Sequence, residues 1–185
     1  MHAAGRDVSQ PERMLLLLDH IESGLAARLS PDALIAFENA VLGGQDVDPP
    51  LAAAGAAEAL EEAHSRDLKV GLVSITGLTP GYVLREVLAD LELLQHLQVM
   101  TFSDEARLAK PADAVYRCTL EALGVEAHEA VFIGDSPGPD IAAPQKLGMT
   151  AVQVGGQHLD GVTPNARVET LEELFPALRR LGLVD

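Results

Sequence analysis

Asp135 and Asp140 stand five residues apart, on either side of a Pro/Gly loop, in the stretch AVFIGDSPGPD over residues 130–140. Two hard oxygen donors so spaced suit a cation such as magnesium, which takes one or two carboxylates and completes its shell with water and phosphate oxygens. Val131-Phe132-Ile133 is a brief continuous apolar run, the pattern of a strand buried on both faces of a parallel sheet. Asp135 then falls at the strand's carboxyl end, where open α/β sheets hold their ligands. Pro137 and Pro139 push Ser136 and Gly138 away from helix, so the chain turns first. A helix opening at Pro139 puts Asp140 in its first turn, where the dipole favours negative charge. The same residues also fit a plain Asp-Ser-Pro-Gly turn.

A second stretch, KVGLVSIT over residues 69–76, is another apolar run that ends in hydroxyls, Ser74 and Thr76. Gly77 and Thr79-Pro80-Gly81 follow as a cap and first turn, and a helix N-terminus beside a strand end favours an anion. Thr79 is expected to cap that helix whatever the function. Lys110, held extended by Pro111, could offset phosphate charge at the same edge, or be a solvated surface lysine. The chain has only two other lysines, Lys69 and Lys146.

The rest of the chain must position these groups. Apolar residues recurring every three or four positions predict a helix over 12–29, and Ser30-Pro31-Asp32 caps a second one to about Leu42. Residues 45–50 read as a linker. Helices are then expected over 51–64, 79–89, 111–123, 139–147 and 169–181. Strands are expected over 69–75, 97–102, 130–134 and 150–154. This alternation predicts an α/β fold with a doubly wound parallel sheet.

A chain of 185 residues with 48% apolar content is one ordinary domain or a domain with a small appendage. A net charge of -15 repels nucleic acid and anionic lipid, and few aromatic residues leave few platforms for bases. No apolar run is long enough to span a bilayer, so neither membrane nor nucleic acid is an expected partner. The cytoplasm is the expected location. Cys118, the only cysteine, is expected in the core.

VGLVSIT, LAKPADAVYRCTLEALGV and VFIGDSPGPDIAAPQKLGM occur in fixed order, and with them residues 51–155 resemble the haloacid dehalogenase-like hydrolase superfamily. The resemblance implies a Rossmann-like α/β core over 49–185, with residues 1–48 as a helical cap-like segment. It also implies a magnesium-dependent phosphatase acting on a small phosphorylated metabolite through an aspartyl-phosphate. In such an enzyme Ser74, with Thr76 beside it, would bind the transferring phosphoryl group. Lys110 would pair with nucleophile and phosphate, and Asp135 and Asp140 would help hold magnesium. Ile75, Tyr116 and Ala143-Pro144 depart from the common pattern without removing a charge.

The family's first motif, Asp-x-Asp-x-Thr at the end of an apolar strand, has no match in residues 1–50. Met14 to Asp19 comes nearest, but Ile21 stands where the acid/base aspartate belongs. Three arrangements remain open: a strand over 14–19 with Asp19 as a lone nucleophile, a cap over 12–42 whose first strand lies upstream, or a rearranged or swapped sheet without catalysis. The family's first strand is central in its sheet, so something must pair with strand 130–134 on its inner side. A non-catalytic binding or regulatory module is the alternative function, and a homodimer is a further expectation.

Overall fold

The computed structural model describes residues 5–43 and 50–185. The linker expected over 45–50 and the boundary after residue 48 lie outside the described residues, Pro50 excepted. The chain opens with α1 (Gln10–Ile21), which buries Met14 and Leu18, four apart on one face. Glu12 accepts the Ser9 N–H at 2.9 Å and closes the helix start. α2 (Pro31–Leu42) follows, with Ser30 accepting the Ala33 N–H at 3.3 Å. The helix expected over 12–29 is shorter, because the chain leaves it after Ile21 and Gly24 takes a φ of +73°. Met14 to Asp19 are therefore helical, not a strand. Asp19 accepts the Ala26 N–H at 3.3 Å and lies exposed.

Strands and helices then alternate. In order they are α3 (Ala56–Ser65), β1 (Gly71–Ser74), α4 (Gly81–Asp90), β2 (Val99–Phe102), a single turn α5 (Ser103–Ala106), α6 (Asp113–Leu123) and β3 (Val131–Gly134). A wide helical turn over Pro137–Ala142 leads into α7 (Ala143–Lys146), β4 (Thr150–Val154), β5 (Ala166–Val168) and α8 (Leu174–Arg180). All strand pairs are parallel, but they form two sheets, β1-β2 and β3-β4-β5. Among the described residues no strand joins β1 to β3. β5 was not expected, because three residues are too few to show a period. Cys118 is exposed on α6, not in the core.

Side-chain packing joins what backbone pairing does not. On one face Val73 of β1 and Phe132 of β3 both pack on a cluster of Val115, Tyr116 and Ala143. On the other, Val70 before β1 and Val131 of β3 both pack on a cluster from α3, β4, β5 and α8 that contains Ala59, Ala63 and Phe175. Phe175 is 3% exposed. Truncation with Phe175→Ala leaves a cavity in this cluster, and a loss of about 3–5 kcal/mol in urea unfolding at neutral pH is expected.

Candidate functional site

β3 ends in Gly134 for a steric reason. A Cβ there would meet the Asp140 side chain at 2.6 Å, so only glycine lets Asp140 fold back on the strand end. The Asp140 carboxylate is 3% exposed and fully engaged. Its Oδ1 accepts from Lys110 Nζ at 2.6 Å, and its Oδ2 accepts the Ser136 N–H at 3.0 Å. The Lys110 ammonium also lies 5.5 Å from the centre of the Phe132 ring. Phe132 is in turn met edge-on by Tyr116 at 5.4 Å, and the Tyr116 hydroxyl donates to the Pro139 carbonyl. Burial first, then the charges of Asp140 and Asp113, pushes the Tyr116 phenol well up, so it stays a neutral donor.

Asp135 differs from Asp140 in every respect. Its carboxylate is exposed and, among the described residues, takes only the Ser136 hydroxyl at 3.3 Å. Its backbone is fixed, because the carbonyl accepts from Gln153 Nε2 at 3.0 Å and a Cβ on Gly156 would lie 2.2 Å from it. The strand end thus offers one solvent-facing carboxylate beside one buried and paired.

Ser74, the last residue of β1, pairs in register with Phe102 and is half-buried. α6 shows that β1 and β3 end on the same side. Its carboxyl-terminal residues Thr119 and Leu123 crowd Gly71 at the start of β1, while Val115 and Tyr116, near its start, meet Val73 and Phe132. Lys110 lies three residues before α6, at the end toward which both strands run. The fold therefore brings Lys110 and Asp140 into contact, places Asp135 beside them, and puts Ser74 on the same edge.

Thr76 requires a correction. It is 1% exposed, its N–H donates to Ser103 Oγ at 2.8 Å, and its hydroxyl shares a 3.1 Å bond with Ser103 and accepts the Asp104 N–H. It is a buried structural group with no surface to offer a phosphate. The start of α4 is likewise occupied, because Pro80, not Thr79, stands at the cap and Asp104 Oδ2 accepts the Gly81 N–H at 3.2 Å.

The sequence reading missed Asp7, which lies in a segment without periodicity. Residues 5–7 run antiparallel beside 107–109, with Asp7 N–H donating to the Arg107 carbonyl at 3.3 Å. The Asp7 carboxylate takes Arg13 on both oxygens at 2.8 Å and the Ser103 hydroxyl at 2.6 Å. One hydrogen-bonded path thus runs from α1 through Asp7 and Ser103 to Thr76 beyond β1. A cleft of about 390 Å³ opens beside it, lined by Asp7, Arg13, Leu16, Leu17, Gly77 and Leu78 among others. Burial raises the Asp7 pKa, but hydrogen bonds from Ser103, Val8 and Arg13, with the Arg13 charge, outweigh it and hold the carboxyl below its usual range.

Among the described residues no three His, Cys, Asp or Glu side chains gather as a cage for a metal ion. Magnesium does not need one, and an exposed carboxylate beside a second hard oxygen donor fits its habits.

Comparison with known proteins identifies the family. The sequence model of the haloacid dehalogenase-like hydrolase family matches residues 46–154. A phosphoserine phosphatase of Thermus thermophilus is 35% identical over 121 residues, covering 64% of this chain and 47% of that protein. A human phospholysine phosphohistidine inorganic pyrophosphate phosphatase is 45% identical over 78 residues, 38% of this chain and 29% of that protein. The chain thus spans less than half the length of these relatives. Among solved structures, a 2-haloacid dehalogenase of Pseudomonas syringae matches with a TM-score of 0.68 at 23% identity, covering 93% of this chain and 72% of that one. A phosphatase of Thermococcus onnurineus matches with a TM-score of 0.61 at 24% identity, over 93% and 92%. At these identities the structural matches speak for the fold.

The lowered Asp7 pKa sets a sign for acid stability. A carboxyl depressed in the folded state stabilises above its unfolded pKa, and that contribution disappears as pH falls through the folded value. Asp7→Asn is expected to unfold at lower urea than the parent at pH 7, with the difference shrinking on acidification below about pH 4. A difference independent of pH would contradict the charged pairing.

Proposed function

The chain belongs to the haloacid dehalogenase-like hydrolase family, and from that premise we propose that it binds a small phosphorylated metabolite with magnesium and serves phosphoryl hydrolysis. The buried Lys110–Asp140 pair beside the exposed Asp135 carries this reading. A cation held at a strand end by a carboxylate, inside a chain of net charge -15, is what an anionic phosphoryl group needs to approach. Lys110 would offset charge on the phosphoryl oxygens, and the Ser74 hydroxyl would donate to one of them. The exposed Asp135 carboxylate would hold magnesium, which when bound polarises the phosphoryl group as a Lewis acid, while the buried Asp140, expected from the sequence as a second ligand, would keep Lys110 in place. The cleft beside α1 is suited to the rest of the substrate, with its leucines toward carbon and Arg13 at its wall. α1 and α2 act in this reading as the cap-like segment over the edge.

Hydrolysis through an aspartyl-phosphate needs a carboxylate to attack phosphorus before water releases phosphate. Asp19 is not suited to that role, because it turns the chain at the far end of α1. The place of Asp19, exposed in a helix and bonded to the Ala26 N–H, favours a second reading: a binding module that holds phosphate and magnesium without turnover.

Hydrolysis of an aryl phosphate with and without magnesium, beside binding of inorganic phosphate, separates the two. Magnesium-dependent turnover that falls about 100-fold in Lys110→Ala and is unchanged in Asp19→Asn supports the hydrolase. Magnesium-dependent phosphate binding without turnover, lost in Asp135→Asn, supports the binding module. Neither binding nor turnover would overturn both.

A further inference from the structure

A cleft of about 330 Å³ opens between the start of α6 and the turn that leads into α7. Pro111, Pro139, Ala142 and Ala143 give it apolar walls, and Asp113 and Lys146 add one charge of each sign. Clefts that hold small molecules run from about 300 to 1,000 Å³, so this one suits a compact ligand. Pro111 follows Lys110 and Pro139 precedes Asp140, so the cleft adjoins both partners of the buried pair without including either. The two charges that line it are not spent on each other. Among the described residues neither Asp113 nor Lys146 makes a hydrogen bond or an ion pair, although both face one space. Their charged atoms therefore stand beyond the roughly 4 Å of an ion pair.

Backbone groups at the cleft are already used. The Pro139 carbonyl accepts from the Tyr116 hydroxyl, and the Gly138 carbonyl accepts the Ala143 N–H. Proline at 111 and 139 removes two further donors. Recognition here falls to one carboxylate, one ammonium and the apolar surface between them, and that combination selects by charge pattern. A plain anion would gain Lys146 but meet Asp113, and a plain amine would meet the reverse. A neutral polar molecule such as a sugar would set hydroxyls against proline rings and alanine methyls, where no partner is offered. A zwitterion with an apolar body satisfies both charges at once and covers the carbon surface. In an α-amino acid the ammonium and the carboxylate sit on one carbon, so a single small molecule can span two side chains too far apart to pair.

We propose that this cleft binds a free α-amino acid with an apolar side chain, its carboxylate on Lys146 and its ammonium on Asp113. The proposal does not rest on phosphoryl chemistry, and its test does not read activity.

The probe is L-leucine, titrated into the full chain at neutral pH and followed by the amide NMR signals of Gly138, Ala142, Ala143 and Lys146. Those signals are expected to shift saturably, while that of Ala63 in α3 stays in place. N-acetyl-leucine, which lacks the ammonium, and leucinamide, which lacks the carboxylate, are each expected to bind at least about tenfold more weakly. Lys146→Met and Asp113→Asn are expected to weaken leucine by a similar factor, whereas Lys69→Met, at an exposed lysine elsewhere, leaves it unchanged. Unmoved Ala151 and Val152 signals from β4 show that each variant keeps its fold. Three results would overturn the proposal: no saturable shift with leucine, equal binding by either analogue, or leucine binding indifferent to both charge variants. Equal binding by N-acetyl-leucine would make the cleft an anion site built on Lys146 alone.

Discussion

Two parallel sheets that share no hydrogen bond among the described residues are kept in one body by side-chain packing on α6 and α3. Everything at the candidate site depends on this arrangement. β1 carries Ser74, β3 carries Asp135 and Asp140, and only helices spanning both strands set one end against the other. Packing of this kind is strong but less directional than a ladder, since apolar contact scales with area and not with angle. The polar contacts of α6 add the missing direction. Tyr116 fixes the turn after β3, and Thr119 shares a 2.7 Å hydroxyl bond with Thr101 of β2.

The electrostatics of the edge rest on a single cation. Lys69 and Lys146 are exposed, and Lys110 alone among the lysines is drawn in, its side chain 13% exposed. Desolvating an ammonium is costly unless a carboxylate meets it and further bonds satisfy that carboxylate. Asp140 meets this condition because it sits against a glycine and takes a backbone N–H on its second oxygen. Asp135 is left exposed one residue beyond the same strand. The division of labour between the two aspartates is therefore a matter of where Gly134 lets the chain fold back.

Much of this was legible in the sequence. Apolar runs ending in small polar residues and the alternation around them gave four of the strands within two residues, and the order of the motifs gave the family. Helices α2 and α6 followed from Ser30-Pro31 and from Pro111. What could not be read was set by contacts distant in sequence. Thr76 looked like a ligand for phosphate because its type and spacing were right, yet Ser103 and Asp104 enclose it. Asp7 was passed over because no period announces a residue held by one arginine and one serine. Cys118 was placed in the core on the habits of its residue type, while its helix turns that position outward. The Leu-rich run at Met14 was correctly favoured as helix by its spacing.

Cys118 has a practical consequence. It is the chain's only thiol, it is exposed, and it lies on the helix that touches both sheets. A fluorophore or spin label attached there would need no background mutation, and would ride on the element through which any movement of one sheet reaches the other.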